Sequence, residues 1–158
     1  MPETPSAKET TSPFERLLAD LVRGGVDYAV VGGVAVSLNG FIRATDDLDI
    51  LVHEAPGNIR RLLDCLAGCG EGWARELTLE DFAPQEGSIR VIEDFALDIF
   101  VRMRGHSLDE FRSRLQHLET SGVRIPYLGA NDLILLKQDS WRDKDKLDVS
   151  ALRKLVEH

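Results

Sequence analysis

VVGGVAVSLNGFIRATDDLDILV, residues 30–52, decides how the chain is built. Its last six residues, from Asp47 to Val52, have the apolar content of a buried strand, yet Asp47 and Asp49 stand inside it and Asp46 precedes it. Strands are poor in aspartate, and an unpaired buried carboxylate is costly. Side chains alternate along a strand, so Asp47 and Asp49 point the same way while Leu48 and Ile50 pack on the opposite face. Two carboxylates held about 7 Å apart by that geometry repel each other unless a cation lies between them. A hard divalent cation with oxygen ligands relieves the repulsion, and Asp46 is left as a solvent-facing or strand-edge neighbour.

Upstream, DYAVVGG reads as a short buried strand stopping at Gly32-Gly33, and VAVSLNG as a short helix closed by Gly40. A strand-to-helix glycine pair exposes backbone N–H groups that suit a phosphate, although a tight turn needs no ligand. Before it, SPFERLLADLVRGG offers Ser12 as N-cap, Pro13 at the first helical position, Glu15 to complete a capping box, and Gly24-Gly25 as the stop. Residues 1–11 hold nothing a core could bury and read as a disordered tail.

Downstream, PGNIRRLLDCLAGCG places Ile59, Leu62, Leu63 and Leu66 on one helical face. Between Glu71 and Gly87 the signals are mixed around Trp73, with Thr78 and Asp81 starting a single helical turn. SIRVIEDFALDIFVRM reads as two strands about a turn at Glu93-Asp94, with Leu97, Ile99 and Val101 on one face and Asp98 and Phe100 on the other. Residues 107–118 are expected to be helical, and VRIPYL to be an edge segment because of Pro126. Helices over 130–139 and 143–156 finish the chain. The class is α/β or α+β, a mixed sheet flanked by helices.

With 158 residues and 43% hydrophobic content, the chain can bury one real core. It has no long apolar run and no leader at its start, which reads as a soluble, cytoplasmic protein with no membrane partner. Cys65 and Cys69 share a helical face without further zinc ligands and read as reduced structural residues. The net charge of −8 disfavours nonspecific coating of nucleic acid.

Asp98 adds a third carboxylate inside a second apolar strand. If the two strands are neighbours, Asp47, Asp49 and Asp98 meet on one sheet face and can hold one or two Mg²⁺ ions that orient a nucleoside triphosphate. The structural alternative is that Asp47 opens its strand at the solvent boundary, Asp49 pairs with Arg43 or another arginine, and Asp98 lies on an exposed face.

Gly32-Gly33, then Asp47-Leu48-Asp49, then Asp98 on a later strand resemble the nucleotidyltransferase superfamily with the DNA polymerase β-like fold. Arg43, Thr45, Asp47 and Asp49 are similar to the Arg-x-Thr-x-Asp-x-Asp subgroup. That subgroup includes abortive-infection-type nucleotidyltransferase toxins, related uncharacterised bacterial proteins and, more distantly, aminoglycoside and lincosamide nucleotidyltransferases. Lys137, Arg142, Lys144-Asp145 and Asp148 match the family's closing pattern.

The resemblance implies a single minimal nucleotidyltransferase domain over residues 12–158. It implies that Asp47 and Asp49 bind Mg²⁺, with Mn²⁺ as a substitute, and that Asp98 completes the metal site or acts as general base. Gly32 and Gly33 would approach the triphosphate through their backbone, with Arg43, Thr45 and Lys137 also on the nucleotide. The alternative for Lys137 is a solvated helical lysine. For Arg142, Lys144, Asp145 and Asp148 it is an exposed, salt-bridged helix start. Arg102, Arg104, Arg112 and Arg114 are candidates for a basic rim toward an RNA or nucleotide acceptor, or for a solvated helix face. His53 and His106 stay outside the site.

The expected activity is transfer of an NMP group from an NTP, ATP included, to RNA, a protein or a small hydroxylated molecule, with a toxin–antitoxin or defence role suggested by the subgroup. The chain is short beside the toxin and antibiotic-modifying members, so the acceptor is expected to be held by a partner subunit, by a second copy, or not at all. A non-catalytic nucleotide-binding or interaction module is the competing reading. A phosphohydrolase ranks last, because no histidine falls at ligand spacing from the acids.

Overall fold

All four residues of β1 (Tyr28–Val31) are buried, as are Leu48, Ile50, Leu51 and Val52 of β2 (Asp47–Val52), which runs antiparallel beside it. Strands covered on both faces belong to the middle of a sheet. The computed structural model describes residues 12–42, 44–68, 77–82, 87–92 and 95–157. Within them the further strands are β3 (Ile89–Ile92), β4 (Ala96–Phe100), β5 (Gln116–Thr120) and β6 (Val123–Tyr127). They complete a six-stranded mixed sheet of order β3-β4-β2-β1-β6-β5. The β2/β4 and β1/β6 pairs are parallel, and the other three are antiparallel.

Five helices flank the sheet among the described residues: α1 (Pro13–Arg23), α2 (Gly32–Leu38), α3 (Pro56–Ala67), α4 (Ala130–Lys137) and α5 (Asp143–Val156). This is the expected class. None of them is long and apolar enough to cross a membrane. In α1 the Ser12 hydroxyl accepts from the Glu15 N–H at 3.1 Å, and the Gly24 N–H closes the last turn on Asp20 at 2.9 Å. The buried Leu17, Leu18 and Leu21 face the core, each contributing about 1.5–3 kcal/mol. One Glu15 oxygen accepts from the Thr120 hydroxyl at 3.2 Å and ties α1 to β5. The buried Tyr28 hydroxyl donates to the Leu18 carbonyl at 2.9 Å, which holds α1 to β1.

Two expectations change. Residues 107–118 are not a helix but two 3-10 turns, Leu108–Glu110 and Arg112–Arg114, followed by β5. Leu108 and Phe111 are buried at the spacing that suggested a helix. Ion pairs from Arg112 to Asp27 and from Arg114 to Asp132 then pull the chain into an extended path at Leu115. Nor does Pro126 mark an edge: β6 lies between β1 and β5. The proline is tolerated there because β6 meets β1 only at its end, where Val30 pairs with Tyr127 and accepts from the Leu128 N–H at 3.1 Å. The helical turn at Thr78 does form over Leu79–Phe82, with the Asp81 carboxylate accepting from the Thr78 N–H at 2.8 Å. The tail over 1–11, Arg43, Cys69, Trp73 and the Glu93-Asp94 turn lie outside the described residues.

Candidate active site

Parallel pairing of β2 with β4 sets Asp49 directly beside Asp98, with Asp47 beside Ala96. The acids therefore come from neighbouring strands, as their shared face requires. Asp98 is only 6% exposed, which removes the alternative of a solvent-facing strand aspartate. Burial, the charge and hydrogen bond of Asp98 and the charge of Asp47 push the Asp49 carboxyl up to about 7, against the opposing pull of Lys137. Crowded carboxyls give up their protons one at a time, so near neutrality this pair is short of positive charge.

Part of that charge comes from a residue that sequence reasoning missed. Arg90 faces Asp98 across the antiparallel β3/β4 pair. Its Nε donates to Asp98 Oδ1 at 2.9 Å and its Nη2 to Asp98 Oδ2 at 2.8 Å, while Nη2 also reaches Asp47 Oδ2 at 3.2 Å. An arginine on an alternating strand reads as a solvated position, and the only available signal was that it shares a hairpin with the buried Asp98.

Gly32 opens α2 at φ +68°, a conformation that glycine adopts without cost. A Cβ there would land on Asp49 Oδ2 and come within 2.8 Å of its Cγ. The glycine is thus required for Asp49 to sit where it does, whatever else it does for a ligand. Gly33 is buried in the same first turn.

Lys137, at the end of α4, is not a solvated helical lysine. Its Nζ donates to Asp145 Oδ1 at 3.0 Å and pairs with Asp148 Oδ2 at 3.1 Å, and its side chain is 12% exposed. Asp145 and Asp148 are buried on α5, so the exposed helix start expected for them is replaced by an internal clasp between α4 and α5. Arg142 and Lys144 are exposed beside it. A cavity of about 340 Å³ gathers Gly32, Asp49, Arg90, Asp98, Lys137 and Lys144 on its walls, with Asp47 and Arg142 also contributing.

Thr45 stands apart from this cavity: its hydroxyl donates to the Asp47 carbonyl at 3.1 Å, and it lines an open groove on the other side of Asp47. Asp46 is exposed, as expected. The basic rim does not form as a free surface. Arg102 pairs with Glu54 at 3.1 Å, Arg112 with Asp27 at 2.7 Å and Asp109 at 2.8 Å, and Arg114 with Asp132 at 3.0 Å. His53 and His106 pair with Asp109 and Glu110 and stay away from the acids.

Among the described residues, no group of three or more His, Cys, Asp or Glu side chains converges closely enough to hold an ion as arranged. Asp47 turns one oxygen to Arg90 at 3.2 Å. The chemistry of the donor set nonetheless fits a hard divalent cation: oxygen atoms only, an Asp49 carboxyl pushed up by burial and its acidic neighbours, and a guanidinium already spanning Asp47 and Asp98.

Comparison with known proteins adds independent findings. No curated protein matches the chain by sequence. In fold it is similar to the lincosamide antibiotic adenylyltransferase LnuA, solved lincomycin-bound, at 15% identity and a TM-score of 0.61, covering 97% of this chain and 99% of that one. It is similar to ANT(2")-Ia, solved with adenylyl-2"-tobramycin, at 13% identity and 0.59, covering 96% and 90%. A third likeness is an antigenic nucleotidyltransferase-like protein from Paracoccidioides brasiliensis, at 16% identity and 0.55, covering 94% and 76%. The chain is therefore not short beside the first two. Finally, residues 16–157 match the model of a family described as nucleotidyltransferase of unknown function (DUF6036), so the chain belongs to that nucleotidyltransferase family.

Proposed function

We propose that residues 12–158 act as a single catalytic domain that transfers a nucleoside monophosphate from an NTP to a hydroxyl of a small molecule, with Mg²⁺ and release of pyrophosphate. The observation that carries this reading is the side-by-side placement of Asp49 and Asp98 in the parallel β2/β4 ladder, with Asp47 one step away and Lys137 on the same cavity. Asp47, Asp49 and Asp98 would hold the cation. When bound, it offsets charge on the triphosphate and polarises the phosphoryl group being transferred.

The chain's own groups supply the rest. Lys137 spends two of its three donors on Asp145 and Asp148 and keeps one for a phosphate oxygen. Arg142 and Lys144 add charge at the rim. Gly32 lies on the cavity wall at the first turn of α2, where the triphosphate would approach the backbone, with Gly33 packed behind it. Asp98 takes the proton of the acceptor hydroxyl as its oxygen bonds to the α-phosphorus and the bond to pyrophosphate breaks. The choice of a small acceptor is supported by the antibiotic ligands of the two adenylyltransferases of similar fold and by the carboxylates that already hold Arg102, Arg112 and Arg114.

The test is calorimetry of each NTP with Mg²⁺ on the wild type and on an Asp47→Ala/Asp49→Ala variant, with pyrophosphate release followed against a panel of hydroxylated small molecules, RNA and protein. Metal-dependent binding lost in the variant, with release stimulated by a small molecule, supports the reading. Stimulation by RNA or protein instead would shift it toward a toxin-like role. Binding without release from any acceptor would favour a non-catalytic nucleotide-binding module, and no binding by folded wild type would end it.

A further inference from the structure

Arg90 reaches the acids with three hydrogen bonds from two nitrogens: Nε and Nη2 grip both oxygens of Asp98, and Nη2 bridges to Asp47. A guanidinium fork on a carboxylate is among the strongest side-chain pairings, and the same fork matches a phosphate equally well. Arg90 sits on the outermost strand of its side of the sheet, its side chain is about half exposed at 49%, and it lines the cavity that holds Lys137. It therefore has room to leave the acids without crossing the core.

We infer that Arg90 is the resident counter-cation of the acid cluster, and that it exchanges places with the divalent metal and passes to the triphosphate when metal and NTP arrive together. This rests on the nucleotidyl-transfer reading of the site. Co-occupancy is electrostatically unfavourable, because a guanidinium and a dication on the same Asp47 and Asp98 oxygens would stand a few ångströms apart. The exchange also frees both Asp98 oxygens from the guanidinium fork, so that carboxylate can turn to the metal and the acceptor only when the substrate is in place. The metal alone must displace Arg90 with nothing to receive it, whereas the metal with NTP brings the phosphate oxygens that do. Metal and nucleotide are thereby coupled through one side chain, each tightening the other. Arg90 is a positioning residue toward the acids and a ligand toward the nucleotide.

The experiment measures Mn²⁺ binding without nucleotide, by calorimetry and by the spin-resonance signal of free Mn²⁺, on wild type, Arg90→Gln and Arg142→Gln. The last variant removes the same charge from the same cavity without touching the three acids. Arg90→Gln is expected to bind Mn²⁺ alone about tenfold or more tightly than wild type, and Arg142→Gln to change it little. With a non-hydrolysable NTP present, the wild-type affinity for Mn²⁺ rises and the gap to Arg90→Gln closes. If Arg90→Gln does not fold, Arg90→Lys keeps the charge but cannot grip two Asp98 oxygens and Asp47 together, and it too binds Mn²⁺ more tightly than wild type.

Equal Mn²⁺ affinity in wild type and the folded Arg90 variants, or equal tightening in Arg142→Gln, overturns the exchange. Should wild type bind NTP with Mn²⁺ in either case, the nucleotidyl-transfer reading stands and only the role of Arg90 falls. If wild type shows no metal-dependent NTP binding at all, both fall together.

Discussion

The Asp49 carboxylate rests against the bare Cα of Gly32, in space that no other residue type would leave open. Gly32→Ala meets two penalties at once, a Cβ at φ +68° and a collision with Asp49. Left-handed backbone and overpacking together amount to about 2–4 kcal/mol. Urea denaturation is expected to show a loss of that size. NTP binding is expected to fall further than stability alone explains, because Asp49 must move aside. An unchanged midpoint would mean that the carboxylate relocates freely.

The raised Asp49 carboxyl makes metal-free stability depend on pH. The folded-state value, about 7, lies above the ordinary 3.8. Between those two values the folded protein keeps a proton that the unfolded chain has lost, so stability from this group falls as pH rises through the window. Burial raises it most, Asp98 and the charge of Asp47 add to that, and Lys137 opposes them. Asp49→Asn is therefore expected to melt above wild type at pH 8 and by a smaller margin at pH 5, as read by scanning calorimetry in chelator. An equal margin at both pH values would contradict the shift.

Lys137 lies between two buried carboxylates, and its removal leaves both without their shared cation. Stripping one partner from such a cluster costs about 3–5 kcal/mol. Lys137→Met is expected to lose that much in denaturant, whereas Asp145→Asn/Lys137→Met recovers part of it. Full stability in the single variant would show that the acids take up protons or water instead.

Arg112 is tied to Asp27 and Asp109 on a half-exposed surface. Arg112→Ala is expected to cost no more than about 1 kcal/mol and to leave NTP affinity within error, by thermal melt and calorimetry. A large loss of affinity would restore the basic rim that the ion pairs argue against.

Much of this architecture was legible in local pattern. Ser12 and Pro13 start α1 as their chemistry dictates, and the alternation around Asp49 and Asp98 put both acids on faces that meet. What local pattern lacks is adjacency. Leu108, Phe111 and Leu115 carry a helical spacing, but pairings with Asp27 and Asp132, distant in sequence, turn that stretch into 3-10 turns and a strand. Asp145 and Asp148 looked solvated because their cation, Lys137, lies on another helix. Arg90 gave no local signal, because only strand pairing reveals that it stands over the acids.

The parallel β2/β4 ladder that brings Asp49 to Asp98 also makes the site conditional on docking. The β3–β4 ribbon is one end of the sheet, and end elements open at lower free energy than the centre. An opening of that ribbon would separate the acids without unfolding the protein. A ligand that spans the two strands holds the ribbon down by mass action. Amide exchange at Leu97 and Ile99 would then slow on loading with metal and nucleotide while that of Ala29 and Val30 stays constant, making the end of the sheet a gauge of occupancy.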